Sequence, residues 1–330
     1  LDLRTVPIGL ETLGESELHG AILAADELIA DGSIIPAMLM AREAAKSHRV
    51  ILSGMGADEL FFGYNGHYLT RFNALVGAVP GVKPLTAGLF KGVSANKGAF
   101  KAYRRYVRKW GDNVGKPYEI GRFSVVGDVD ASLRIQRRPG DPGEVFARYF
   151  DEGMRFGPFD CLFRFELDNF LIKNLHYLDG STMAFGMESR VPFLDVDVVG
   201  FAAGLPTSFK IDHRFKAKKI LKTAYADVLP PYILRRRKAG FGMPLRSILA
   251  DASTLRRLMP YSFLEDSGLF LPEEVAAVEA QHLSGAQDHS ALLYALICLG
   301  AWHRAFFGDS TGDPGVGQFR IQPVPKSFEA

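Results

Sequence analysis

Residues 53–59 read Ser-Gly-Met-Gly-Ala-Asp-Glu, two glycines around a methionine and then two adjacent carboxylates, directly behind Val50, Ile51 and Leu52. Glycines let backbone N–H groups approach a phosphate or ribose with no Cβ in the way. A helix starting near Asp58 favours an anion or a metal–phosphate complex at its N-terminus. On these residues alone the loop reads either as a nucleotide-binding turn or as a plain strand-to-helix turn with Asp58 as its cap.

Two further groups of residues carry chemistry. In Ser181-Thr182-Met183-Ala184-Phe185-Gly186-Met187-Glu188-Ser189-Arg190-Val191-Pro192-Phe193-Leu194-Asp195, Glu188 and Arg190 interrupt an apolar stretch just before a helix-breaking proline. Burial is expected for both, and buried charges need partners. A structural ion pair, Glu188 with Arg190 or Arg190 with Asp195, is the competing reading. Lys216, Lys218, Lys219 and Lys222 precede Arg235-Arg236-Arg237-Lys238-Ala239-Gly240-Phe241-Gly242-Met243-Pro244. Such a cluster is commonly a solvated face or a nucleic-acid patch. The Gly-Phe-Gly-Met-Pro turn instead predicts a fixed loop that holds Lys238 in one place. Lysines are compact, strongly hydrated charges suited to phosphates.

Elements that position these groups follow from periodicity. Residues 16–29 and 36–47 read as helices, with Asp31-Gly32-Ser33 as turn and N-cap and Pro36 in a first turn. Arg49–Ser53 reads as a buried strand. Helix, strand, loop and helix in that order indicate part of an α/β doubly wound sheet. Beyond Tyr64 no second parallel strand is expected. Helical periodicity runs through 65–77, 97–110, 144–154, 160–178, 194–203, 213–227, 243–258, 272–284 and 288–306. The last residues, with Gly312, Pro314, Gly315, Gly317, Pro323 and Pro325, read as an extended tail. A parallel sheet needs several strands covered on both faces, so the remaining strands are expected in a segment outside this chain, which begins at Leu1 rather than at a methionine.

The bulk numbers exclude several classes. The 330 residues are 47% hydrophobic and 23% charged, enough to bury a core without staples, and the net charge of +2 demands neither nucleic acid nor an anionic membrane. Two cysteines, Cys161 and Cys298, form no disulfide framework or zinc spacing and favour a reducing, cytoplasmic setting. No stretch of ~18 uncharged apolar residues or signal peptide is evident. Lys101 to Trp110 interleaves basic and aromatic residues, as single-strand binders do, but reads better as a surface helix with inward aromatics. His67 and His176 have no metal spacing and read as satisfied core or surface residues.

Together the motifs resemble the asparagine synthetase family. Its second ATP loop has the form Leu-Ser-Gly-x-Gly-x-Asp-Glu-x-Phe-x-Gly-Tyr, matched by residues 52–64. Its Ser-Met-Ala-x-x-x-Glu-x-Arg-x-Pro-Phe-Leu-Asp is matched except for Thr182 at the first serine. Its lysine two positions before an Ile-Leu pair and its Arg-x-Lys-x-Gly-Phe-x-x-Pro are matched at Lys218 and Lys238. The run from Asp26-Glu27-Leu28 to Asp31-Gly32-Ser33-Ile34-Ile35-Pro36 is also similar. The resemblance implies an adenine nucleotide alpha-hydrolase-like (ATP pyrophosphatase) α/β fold. Its parallel sheet would be incomplete here: residues 1–64 would be the C-terminal part of the core, 65–307 a helical synthetase region and 308–330 a tail.

By the same resemblance the activity is that of a ligase. A carboxylate is activated as acyl-AMP, pyrophosphate leaves, and ammonia or an amine attacks. Leu52, Ser53, Gly54, Met55, Gly56, Lys218 and Lys238 would meet ATP, Asp58 would hold Mg2+, and Glu188 and Lys238 would serve catalysis. The family's Ser-Gly-Gly-x-Asp-Ser pyrophosphate loop and its cysteine glutaminase domain are not found in this chain, so an N-terminal segment or separate chain is the expected partner. A homodimer is allowed; nucleic acid and membrane are not expected. Met55 stands where asparagine synthetases often carry an acidic residue and β-lactam synthetases a tyrosine. A methionine does no acid–base work, which points from aspartate toward a more apolar acid, or toward intramolecular amide formation as in lasso-peptide cyclases or β-lactam synthetases. Phe62, where the family often has glycine, points the same way. A non-catalytic nucleotide-binding subunit and a basic nucleic-acid module are the readings from other classes.

Overall fold

The computed structural model of the chain describes residues 14–64, 66–68, 70–71, 157–214, 216–236 and 240–308. Helices α1 (Glu15–Ala25) and α2 (Ile34–Ala44) precede strand β1 (Val50–Leu52) and the short helix α3 (Ala57–Phe61). A long helical run follows: α4 (Pro158–Phe165), a π-helical turn (Glu166–Leu171) and α5 (Ile172–Met183), leading into strand β2 (Glu188–Arg190). Then come α6 (Val196–Gly204), α7 (Thr207–Lys210), α8 (Lys219–Ala224) and α9 (Pro231–Arg235). The last part holds α10 (Leu245–Leu249), α11 (Ala252–Leu258), α12 (Tyr261–Asp266), α13 (Pro272–Leu283) and α14 (Ser290–Phe307). The expected helices 97–110 and 144–154, most of 65–77, the stretch 101–110, Lys238 and the tail from residue 309 lie outside the described residues.

Local chemistry sets the element ends. The first expected helix stops at Ala25 rather than 29, because Asp26 adopts a left-handed backbone (φ 58°) and its N–H closes on the carbonyl of Ile22 at 3.2 Å. Ser33 is the N-cap of α2, and its own N–H donates to Asp31 Oδ1 at 2.9 Å, an Asx turn. The run expected at 160–178 is one continuous helix from 158 to 183. Within it Asn169 Nδ2 donates to the carbonyl of Phe165 at 3.1 Å, a side chain competing for the ladder where the turn widens.

The sheet corrects the expectation of a single strand. β1 pairs in parallel with β2, in the register Val50–Glu188, Ile51–Ser189 and Leu52–Arg190. β2 was hidden because Glu-Ser-Arg lacks the apolar run of a strand buried on both faces. Ile51 and Ser189 are half-buried on one face; Val50, Leu52, Glu188 and Arg190 are exposed on the other, Leu52 by 75%.

Two apolar clusters surround this sheet. The larger joins α1, α2, α5 and α10 to α14, around Ile22, Ile34, Met187, Leu249, Leu293 and Ile297. Each such fully buried side chain contributes about 1.5–3 kcal/mol. α14 is long and apolar enough by composition to cross a membrane, and among the described residues it is the one such helix. Eight of its residues between Leu292 and Ala301 are buried, seven of them in the large cluster, which accounts for its apolarity as a core helix. The smaller cluster holds Leu60, Phe61 and Phe62 against Phe159, Phe163, Ala202 and Ile211.

Two predictions follow from the packing. A Cβ at Gly180 would lie 1.9 Å from the carbonyl oxygen of Ala24, so α1 and α5 cross backbone to backbone. Gly180→Val should cost at least about 1–3 kcal/mol, read as a lower urea midpoint. Lys210 is buried, its ammonium 4.0 Å from the Phe163 ring centroid and 4.9 Å from that of Phe62. Burial lowers it to about 8, against a smaller opposing effect of Asp160. The unfolded chain then binds more protons between that value and the usual lysine range, so stability should rise with pH across that window. Lys210→Met should remove this rise when urea midpoints are compared at about pH 7 and about pH 10.

Candidate functional site

The register of β1 on β2 brings the two main motifs together. Ser53 N–H donates to the carbonyl of Arg190 at 2.8 Å, so the loop 53–56 leaves the C-terminal edge of the sheet beside residues 190–195. That edge is where ligands bind in open parallel sheets. Gly56 has φ 89°, and a Cβ there would also lie 2.4 Å from Leu194 Cδ2, so both conformation and space require glycine. A Cβ at Gly54 would meet nothing within 4 Å, leaving that stretch of backbone open. Met55 N–H donates to Ser53 Oγ at 3.3 Å, while the Met55 side chain packs against the large apolar cluster.

Asp58 and Glu59 diverge. Asp58 Oδ1 meets Lys218 Nζ at 2.9 Å, with both side chains about one-quarter exposed. Gly63 lies directly beneath this pair: a Cβ there would fall 1.7 Å from Asp58 Oδ1 and 2.4 Å from Lys218 Cε. Lys218 itself has a left-handed backbone (φ 52°), and its N–H donates to the carbonyl of Phe61 at 3.1 Å. The strain of that conformation is thus anchored to the end of α3. Glu59 turns inward and is buried, accepting from Tyr64 Oη at 2.5 Å and from Asn174 Nδ2 at 3.3 Å. Burial, reinforced by Glu59, raises the Tyr64 phenol far above its ordinary range.

The other expected residues fall as follows. Glu188 and Arg190 are not buried; they form an ion pair on the exposed face, Arg190 Nε to Glu188 Oε1 at 2.6 Å, with side chains 61% and 55% exposed. The hydrogen bond from Arg190 holds the Glu188 carboxyl below its ordinary range. They share a face because residues i and i+2 of a strand do, and the register sets Glu188 level with Val50, the far end of β1 from the loop. Leu52 stands level with Arg190. Of the lysines, Lys218 reaches the acidic loop, whereas Lys219 Nζ caps the carbonyl of Ser208 at 3.4 Å. Lys238 lies outside the described residues, but the turn after it is fixed: Met243 N–H donates to the carbonyl of Gly32 at 3.1 Å, and Ser33 Oγ bonds the carbonyl of Phe241.

Sequence reasoning overlooked the inner partners. Asn174 and Glu166 stand on the 158–183 helix, and Glu166 Oε2 meets His67 Nε2 at 2.8 Å. Lys173 pairs with Asp31: burial raises the Asp31 carboxyl, but the Lys173 charge and the Ser33 N–H together bring it below its ordinary range. His67 is a satisfied core histidine, as expected. The only sequence signal for the rest was polar residues inside an apolar helical stripe.

The model of the family described as asparagine synthase matches residues 11–304. The chain belongs to the asparagine synthase family. It is 30% identical over 296 residues to a putative glutamine-hydrolysing asparagine synthetase of Mycobacterium tuberculosis, covering 85% of this chain and 43% of that protein. It is 25% identical over 300 residues to glutamine-hydrolysing asparagine synthetase 1 of Bacillus subtilis, covering 87% of this chain and 45% of the relative. A shorter match, 38% over 82 residues, is to glutamine-hydrolysing asparagine synthetase 1 of Lotus japonicus, covering 21% of the chain and 14% of that protein. The chain therefore spans under half the length of the first two relatives. Membership in the family agrees with an ATP-pyrophosphatase-like α/β fold, of which the described residues hold two parallel strands.

The Gly56 geometry yields a direct test. Gly56→Ala should cost at least about 1 kcal/mol from the left-handed backbone alone, with the Leu194 contact adding to it. A melting temperature equal to that of the parent would show that the loop is not locked against residues 192–194.

Proposed function

We propose that the chain is the synthetase part of an ATP-dependent carbon–nitrogen ligase, one that activates a carboxylate by adenylation and passes the acyl group to ammonia or an amine. The observation that carries this reading is the meeting, at one strand edge, of an open Gly-rich loop with the Asp58–Lys218 pair. Ser53, Gly54 and Gly56 offer backbone to a nucleotide. Lys218, and Lys238 in the same role, would neutralise charge on a departing pyrophosphate.

Asp58 is the residue that would hold Mg2+, since it lies at the loop edge and already faces a cation. Glu59 is not available for this, being taken up by Tyr64 and Asn174. A single carboxylate at this edge suits a metal that keeps waters and phosphate oxygens as its other ligands. ATP, when bound, supplies the adenylyl group; this chain's residues orient it and balance its charge.

The bare face of the sheet supports a partner. Val50 is 48% and Leu52 75% exposed on a parallel pair, and parallel sheets are covered on both faces. We infer that an α/β segment, linked to this chain or separate, covers that face, adds strands to this two-stranded sheet and brings the rest of the phosphate site. Met55, committed to packing, leaves the variable loop position without a charge, which favours an apolar acid or a peptide carboxylate over aspartate as the substrate.

ATP–pyrophosphate exchange across a panel of acids, measured with the chain joined to its strand-supplying segment, tests the reading. Exchange with one or more acids is expected, abolished by Lys218→Ala and weakened at least tenfold in ATP affinity by Asp58→Ala. Absence of exchange with every acid, together with unchanged ATP affinity in Asp58→Ala, would leave a non-catalytic nucleotide-binding subunit as the better account.

A further inference from the structure

We propose that Asn174 and Glu166, two buried residues of the 158–183 helix, are positioning residues that hold helix α3 and so aim Asp58 at the nucleotide site; the functional half of this statement rests on the reading above. Helix α3 has five residues, too short to persist by its own hydrogen bonds. Something else must fix the direction of Asp58.

The inner polar groups do so at two points. At the first, Glu59 (1% exposed) accepts from Asn174 Nδ2 at 3.3 Å and from Tyr64 Oη at 2.5 Å. At the second, the N–H of Tyr64 donates to His67 Nδ1 at 3.0 Å, which leaves that nitrogen without a proton. His67 therefore carries its proton on Nε2 and donates it to Glu166 Oε2 at 2.8 Å. His67 is wholly buried and Glu166 is 7% exposed. The imidazole is wedged by stacking on Phe62, ring centroids 4.5 Å apart at 22°. Glu59 and His67 thus grip the chain on both sides of the left-handed Phe62.

The π-helical turn makes the double grip possible. Glu166 opens that turn and Asn174 lies eight residues on, in α5. In a straight α-helix, residues eight apart are rotated by about 80°. The wider turn, with its i→i+5 bonds, adds about one residue per turn and swings the two side chains back toward one face. Buried polar groups hydrogen-bonded to one another in this way rigidify what they join.

Amide hydrogen exchange of residues 57–64 tests the brace without any ligand, in the parent, Asn174→Leu and Glu166→Gln. Asn174→Leu should speed exchange there at least tenfold while leaving α14 unchanged, and Glu166→Gln, which keeps an acceptor for His67, should lie closer to the parent. Mg·ATP titration of the same proteins, each joined to its strand-supplying segment, should show at least fivefold weaker binding for Asn174→Leu. Unchanged exchange at 57–64, or an equal loss in α14, would overturn the brace. Faster exchange with unchanged Mg·ATP affinity would overturn the positioning role. Failure of the parent to bind Mg·ATP would instead count against the proposed function, and exchange would still decide the brace.

Discussion

The parallel pairing of β1 with β2 is the constraint on which the site depends. Three residue pairs fix the register, and the bond from Ser53 N–H to the Arg190 carbonyl extends it into the loop. A slip of one residue would reverse the faces. It would turn outward the half-buried residue of the strand that shifted, Ile51 or Ser189, and push Leu194 away from Gly56, whose missing Cβ is the space Leu194 occupies. Two motifs about 130 residues apart in the chain thus form one edge because of backbone geometry and not because their side chains bond to each other.

The same edge separates two packing environments. Met55 reaches into the large cluster, while Leu60, Phe61 and Phe62 anchor the small one. The loop between is pinned at both ends, and its polar residues have little freedom to choose partners. Asp58 is left at the surface with Lys218, over a glycine that permits no side chain beneath them. Glu59, one residue on and about 100° around the helix, is driven inward. Adjacent carboxylates look equivalent in sequence; helical rotation gives one to solvent and the other to the interior.

That rotation also explains what was legible. The loop with its glycines was readable because turn chemistry is local and residue-specific, whereas Lys218 was singled out among its neighbouring lysines only by the family resemblance. The helices of the larger cluster were readable from apolar periodicity. β2 was not, since three polar residues carry no strand signal by themselves. Glu188 and Arg190 were misjudged as buried because apolar neighbours suggested a core helix, whereas in a strand both fall on the uncovered face. The grip of Asn174 and Glu166 depends on residues 115 and 99 positions away from their partners. No local pattern encodes such a pair, and the π turn that aligns them shows in the sequence only as Asn169, whose side chain bonds the carbonyl of Phe165.

Met55 connects the loop to the question of substrate. A charged residue at that position would have to leave the large apolar cluster or be buried in it, at a desolvation cost of several kcal/mol. Glu188, on the same sheet but level with Val50 and neutralised by Arg190, does not stand in for it at the loop. On the proposed reading, the centre of the loop would offer backbone to a substrate and no complementary charge, because the Met55 side chain packs against the large cluster. Selectivity built on such a surface discriminates by apolar area, at about 25 cal/mol per Å² buried, and not by pairing a substrate charge. On the same reading, an acid carried on a larger apolar or peptide body would gain more from such a surface than a small dicarboxylate would.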